Sequence, residues 1–227
     1  MTAAARESTR RTQAERSEAM RQRLLEATVL SLESEGYAGT TVSTIVTAAG
    51  VSRGAPIHHF PTKAALIEAT AEYLIRRIYI HLGRVIRSLE TSDDRLADMI
   101  MASWRELFDT SDSRALMELM MASRRDAELA GVLHKLWQAG YEALDIATRH
   151  YFEPCGNGMN ATHLFVLTHW LLSGMSLEGH LTDGPHVNEH FLRLWCRVLG
   201  EHLKPREGVT GAPPKPDFWD RALTGQD

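Results

Sequence analysis

Residues 40–63 read TTVSTIVTAAGVSRGAPIHHFPTK, and this stretch decides the fold. Behind Thr41, a good N-cap, Val42, Ile45, Val46 and Ala49 return at helical spacing, and Gly50 stops the helix. Ser52 can cap a second short helix from Arg53 to about His59, closed by Pro61. Ala48 and Ala49 are small enough for the second helix to cross closely. Gly50 supplies the turn and Val51 plugs the space between the helices. Two short helices meeting at a tight Ala49-Gly50-Val51-Ser52 turn have the layout of a DNA-reading helix-turn-helix. Free N–H groups at the start of the second helix suit a phosphate, and Arg53 suits a base edge or a phosphate. A purely structural three-helix bundle has no packing use for this turn and the His58-His59 pair together.

Upstream, residues 1–16 are polar and carry Arg6, Arg10, Arg11 and Arg16, which reads as a flexible basic arm. From Ser17, Met20, Leu24, Ala27, Val29, Leu30 and Leu32 mark a helix that Gly36 ends, so residues 17–62 form the DNA-binding head. Downstream, residues 63–204 read as a larger body. A long helix from Lys63 to about Glu90 carries a stripe of Ile67, Ala71, Leu74, Ile78, Leu82, Val85 and Leu89. Further helices are expected at about 94–108, 113–125, 128–152, 160–181 and 187–203, the last two joined by an Asp183-Gly184-Pro185 turn. Residues 205–227, rich in Pro and Gly, read as an irregular tail. No strand pattern appears, so the expected fold is all-α with about nine helices: a three-helix head on a larger helical domain.

Bulk properties agree. The 227 residues are 44% hydrophobic, enough for a packed core. Net charge is -4, which excludes a protein that coats nucleic acid with its whole surface. Up to Lys63, however, Arg6, Arg10, Arg11, Arg16, Arg21, Arg23, Arg53 and Lys63 outnumber Glu7, Glu15, Glu18, Glu26, Glu33 and Glu35. A mildly basic head on an acidic body fits contact with DNA at one end. Cys155 and Cys196 stand far apart outside any CxxC pairing, so neither a disulfide framework nor a zinc site is expected. The polar N-terminus is no secretory signal, and Leu164–Leu177 is too short to span a bilayer; a cytoplasmic protein is expected. His186 and His190 lie four apart but lack a third ligand, and Glu118, Asp126 and Glu128 read as helix-surface charges. No phosphate loop or nucleophile–base arrangement stands out, so neither an enzyme nor a cofactor is expected.

In the body, Trp104, Phe108, Met117, Met121, Trp137, Tyr141, Phe165 and His169 suggest an apolar space with adaptable walls. The helix through Leu164–Met175 is apolar nearly all round and must be covered on two sides. The last helix carries another wide band. Leu171, Met175, Phe191, Trp195 and Leu199 are the candidate interface residues of a homodimer.

The motif resembles the TetR/AcrR family of bacterial regulators. The matching residues are Gly36-Tyr37, Thr40-Thr41-Val42, Ile45, Ala49-Gly50-Val51-Ser52, Gly54-Ala55, His58-His59-Phe60 and Lys63-Ala64-Ala65-Leu66. The resemblance implies that Thr41 and Ser52 start helices that hold phosphates, and that Arg53, Gly54 and Ala55 face bases. It places His58 in the groove or on a phosphate, and His59 and Lys63 on phosphates. Three residues depart from the pattern. Thr44 stands where an acidic capping partner is usual, Ile57 where a DNA-facing tyrosine is common, and Pro56 lies inside the reading helix. The resemblance further implies an effector pocket in the body and a dimer built as a four-helix bundle. The implied protein is a repressor, released from a palindromic double-stranded DNA operator by a small apolar effector. A DNA-independent helical carrier of apolar molecules is the competing reading.

Overall fold

The computed structural model describes residues 12–156, 159–181 and 185–216, with only the backbone described at Ala55, Ile57, Leu136 and Pro185. These residues form nine α-helices and one short β pair. Helix α1 (Gln13–Gly39) opens four residues earlier than its apolar periodicity predicts, because Thr12 and Glu15 close a capping box. The Glu15 N–H donates to Thr12 Oγ1 at 3.1 Å and the Thr12 N–H donates to the Glu15 carboxylate at 2.7 Å. Residues 13–16 are therefore helical rather than an arm, and Arg6, Arg10 and Arg11 lie outside the described residues. At the other end Gly36 takes φ 68°, a left-handed conformation, and both the N–H and hydroxyl of Thr40 bond back to its carbonyl.

Helices α2 (Val42–Ala49) and α3 (Ala55–His59) complete the head. Helix α4 (Lys63–Ser88), capped by the Thr62 hydroxyl, runs about 39 Å and continues as a 3₁₀ turn, Leu89–Thr91. Helix α5 (Arg95–Ser103) leads into a π-helical turn, Trp104–Phe108, closed by the Asp109 N–H on the Trp104 carbonyl at 2.8 Å. Helices α6 (Ser111–Ser123), α7 (Ala127–Tyr151) and α8 (Ala161–Glu178) are capped by Thr110, Asp126 and Asn160, and α9 (Pro185–Gly200) closes the body. Asp126 thus has a capping role that a surface charge does not describe.

A β pair corrects the strandless expectation. Strand β1 (Phe152–Pro154) pairs antiparallel with β2 (Leu203–Pro205), Glu153 opposite Lys204, in the otherwise all-α fold. The pair is too short to carry a pattern of its own. It also anchors the start of the tail. Arg95 donates to the Val209 carbonyl at 2.7 Å, and the hydroxyl of Tyr151 donates to the Gly211 carbonyl at 3.2 Å. Residues 205–216 therefore lie bound against α5 and α7 in irregular conformation.

Three apolar cores fill the molecule. One, in the head, joins Leu24, Leu25, Ile45, Ala49, Phe60 and Leu66. Another, in the body, runs from Tyr79 through Ile100, Trp104, Tyr151 and Phe165 to Leu203. The third is shared: Val29 and Leu32 of α1 meet Ile67, Ala71 and Leu74 of α4, Ala115 and Leu119 of α6, and Leu129 of α7. Head and body are thus welded along α1, α4 and α6.

Candidate DNA-reading head and apolar cavity

In the head, Thr41 starts α2 as predicted, and its partner is Thr44 itself. The Thr44 N–H donates to Thr41 Oγ1 at 3.1 Å, and the Thr41 N–H donates to Thr44 Oγ1 at 2.8 Å. A threonine pair therefore forms the box for which an acidic residue is usual. Gly50 takes φ 60°, ψ 42°, and a Cβ there would lie 3.1 Å from Nη2 of Arg23. That contact, with the left-handed backbone, explains the glycine.

Ser52 does not cap α3. The helix begins at Ala55 with Gly54 as N-cap and without a side-chain cap, leaving Ser52 and Arg53 in an exposed turn before it. Pro56, buried, falls in the first two helical positions, where the N–H has no intrahelical partner, so it costs α3 no hydrogen bond. Two other inward assignments also change: Ala48 and Val42 are exposed, and Ala49, Ile45 and Val46 make the packed face.

Thr41, Ser52, Arg53, Gly54 and His58 are exposed, while His59 and Lys63 are half-buried. Only the backbone of Ala55 and Ile57 is described. Lys63 Nζ sits 5.2 Å from the centroid of the Tyr37 ring, which fixes the ammonium at the start of α4. Arg21 lies over Phe60 at 5.1 Å. Around the α2–α3 turn the face therefore combines small exposed side chains, two histidines and fixed cations.

The body encloses a cavity of ≈ 240 Å³ between α4, α5, the π turn, α6, α7 and α8. Phe108, Met117, Trp137, Tyr141, Phe165 and His169 line it; Trp104 and Met121 do not. Trp104 points into the body core at 7% exposure, where it opens the π turn that carries Phe108 to the wall. Met121 lies one position further round α6 than Met120, which does line the cavity, and faces solvent. Composition alone did not single out Tyr79, Met99, Met120 or Ser113, whose places on the wall follow from the helix crossings.

His169 is held between two rings, with Phe108 at 5.4 Å and Trp137 at 5.1 Å, both edge-on. Burial pushes its imidazole down to about 4, so it is neutral near pH 7. The unfolded chain, with an ordinary imidazole, takes up the proton first. The resulting stability is whole above about pH 6.5 and is lost as pH falls toward 4, by up to about 3 kcal/mol. Urea unfolding at pH 7 and pH 4.5 should show His169→Gln losing less stability on acidification than the parent.

On the outer side of α8 and α9, Leu167, Trp170, Leu171, Leu177, Phe191, Leu194 and Val198 form an exposed apolar face. Three of the predicted interface residues point elsewhere. Leu199 is 0% exposed inside the body core, and Met175 packs against that core. Trp195 donates its indole N–H to Thr168 Oγ1 at 2.9 Å, tying α9 to α8 within the chain. Leu171 and Phe191 remain on the uncovered face.

Sequence reasoning also passed over Glu118. Its carboxylate accepts the Tyr37 N–H at 2.8 Å, just after the break at Gly36, so it joins α6 to the head. Arg114 of α6 grips Glu33 of α1 at 2.7 Å. Asp112 pairs with Arg77 of α4 at 2.8 Å, although burial holds its carboxyl above the ordinary range against the pull of that guanidinium. Among the described residues no helix is long and apolar enough to cross a membrane, and no cluster of His, Cys, Asp or Glu is arranged to hold a metal ion.

A helix-turn-helix head welded to a helical body with an internal cavity defines a DNA-binding transcriptional regulator. The sequence model described as bacterial regulatory proteins, tetR family, matches residues 24–70. BetI of Pectobacterium atrosepticum is 32% identical over 186 residues, 81% of this chain and 93% of that protein. CymR of Pseudomonas putida is 38% identical over 120 residues, and that match spans 59% of CymR's length and 53% of this chain. In fold, a transcriptional regulator of Rhodococcus sp. Rha1 superposes with TM-score 0.66 at 21% identity, covering 80% of this chain and 97% of its own. A Saccharomonospora viridis regulator in complex with choline gives 0.64 at 17% identity, covering 83% and 99%. The chain belongs to the TetR family of transcriptional regulators.

Proposed function

We propose that this regulator is a homodimeric repressor that leaves a palindromic operator when a small, mostly apolar effector enters the body cavity. The observation that carries the reading is the double face of α6. Ser113, Leu116, Met117 and Met120 line the cavity, while Arg114 and Glu118 on the same helix bind Glu33 and Tyr37 of α1. A ligand that repositions α6 therefore pulls on α1 directly and on α4 through Asp112–Arg77. Two reading helices in a dimer must match the half-site spacing of the operator, so a change in their separation lowers affinity. The work is done in the cytoplasm, where the DNA is. Ligands in the titles of structural relatives support effector binding in this body: choline, and malachite green bound by the multidrug binding protein EbrR.

The direct test is fluorescence anisotropy with DNA flanking the protein's own gene. Lys63→Ala should weaken binding to all sequences and reduce the salt slope by about one unit, the loss of one phosphate contact. Arg53→Ala should weaken binding and relax base preference. If both variants bind like the parent, the reading face is misassigned. Glu118→Gln keeps the shape but weakens the bond to the Tyr37 N–H. It should leave ligand binding intact and reduce the ligand-driven change in operator affinity several-fold. Met117→Trp, rather than a change at the exposed Met121, is the substitution that should fill the cavity and block the effector.

A further inference from the structure

We infer that the cavity selects an uncharged, single-ring aromatic molecule carrying a hydroxyl group, with His169 as the residue that recognises the hydroxyl. The inference rests on the effector reading of the cavity and names the class of molecule it takes. Size sets the first limit. A cavity of ≈ 240 Å³ lies below the range of about 300–1,000 Å³ usual for drug-sized ligands. An apolar cavity of about 150 Å³ already admits benzene. One substituted ring fits; a fused polycycle does not.

Charge sets the second limit. Among the described residues lining the cavity there is no Asp, Glu, Lys or Arg, so an ionic ligand would be buried without a counter-charge. An aromatic wall can attract a quaternary ammonium, but a desolvated cation here has no carboxylate to neutralise it. Phe108, Trp137, Tyr141 and Phe165 offer both edges and faces, the geometry that rings prefer in contact with another ring.

Polarity sets the third. Among the described residues the side chain of His169 makes ring contacts but no hydrogen bond, and Ser173 lies one helical turn further along the same face of α8. Thr168, by contrast, is already engaged, donating to the Leu164 carbonyl and accepting from Trp195. A neutral imidazole has one donor and one acceptor nitrogen, and the flanking rings of Phe108 and Trp137 restrict its rotation. A hydroxyl answers either nitrogen, whereas a carboxylate only accepts and would require the imidazole to be charged.

Isothermal titration of the DNA-free dimer with four probes at pH 7.5 tests this: 4-ethylphenol, ethylbenzene, 4-ethylbenzoate and tetramethylammonium. The phenol should bind tightest, about tenfold above the hydrocarbon, the worth of one good hydrogen bond, with the two ions weaker still. His169→Phe should bring the phenol down to the level of ethylbenzene, and His169→Gln should restore part of the difference. Three results overturn the inference: an ionic probe binding as tightly as the phenol, an unchanged phenol preference in His169→Phe, or no saturation by the phenol at millimolar concentration. Operator release is measured separately. Phenol binding without release would keep the ligand class and refute the effector reading.

Discussion

Phe191→Asp combined with Leu171→Asp should turn the proposed dimer into a monomer by light scattering and lower operator affinity by about 10²–10⁴-fold. Phe191 is 52% exposed on α9 and Leu171 is 38% exposed on α8, and Trp170, Leu194 and Val198 extend the same face. Such a patch on two adjacent helices suits a self-complementary two-fold contact. Two carboxylates per protomer would then face their symmetry copies without partners. The loss in DNA binding follows because each head, once alone, no longer gains from the local concentration set by its twin on the second half-site. Neither side chain belongs to the buried core, so helical content and thermal midpoint of the monomer should stay near those of a folded chain. Trp195→Glu is the wrong test, since it breaks the bond to Thr168 and disturbs the fold whether or not a dimer exists. An unchanged dimer mass in the double variant, or a parent protein that is itself monomeric, removes the assignment.

The pattern of what the sequence disclosed follows from the range of each interaction. The turn from Ala49 to Ser52 was legible because its chemistry is local: one glycine at positive φ and one capping pair. The long stripe on α4 was legible because a single period of 3.6 persists over 26 residues. The start of α1 was also local, in the Thr12–Glu15 box, but lay where apolar periodicity is silent. Other features depend on contacts distant in sequence. The π turn at Trp104–Phe108 shifts the helical phase by one residue, so counting from α5 misplaces Trp104 against the cavity. On α6 and α9 a single position decides between Met120 and Met121, or between Val198 and Leu199, and composition does not distinguish neighbours about 100° apart. Glu118 has the composition of a surface charge and acquires its role only when α6 meets the turn at Gly36.

Leu119→Ala should lower the unfolding free energy by about 2–5 kcal/mol and shift one transition shared by head and body. Leu119 is 0% exposed, and its neighbours in the shared core come from α1, α4, α6 and α7. The head contributes Val29 and Leu32 to that core, so removing the isobutyl group opens a void on which both parts border. The tryptophans allow this to be read. None precedes Trp104, so their fluorescence reports the body alone, whereas helical circular dichroism reports both parts and operator binding reports the head. Coincident melts in the three signals, all moved by Leu119→Ala at fixed protein concentration, are the expected outcome. Two separate transitions, with only the fluorescence melt moved, would show a head that folds independently and would sink the direct route from cavity to DNA. The same packing that makes unfolding cooperative makes the coupling stiff. A shift of α6 toward a ligand cannot be absorbed inside the body, because Leu119 and Ala115 carry it into α1 and α4.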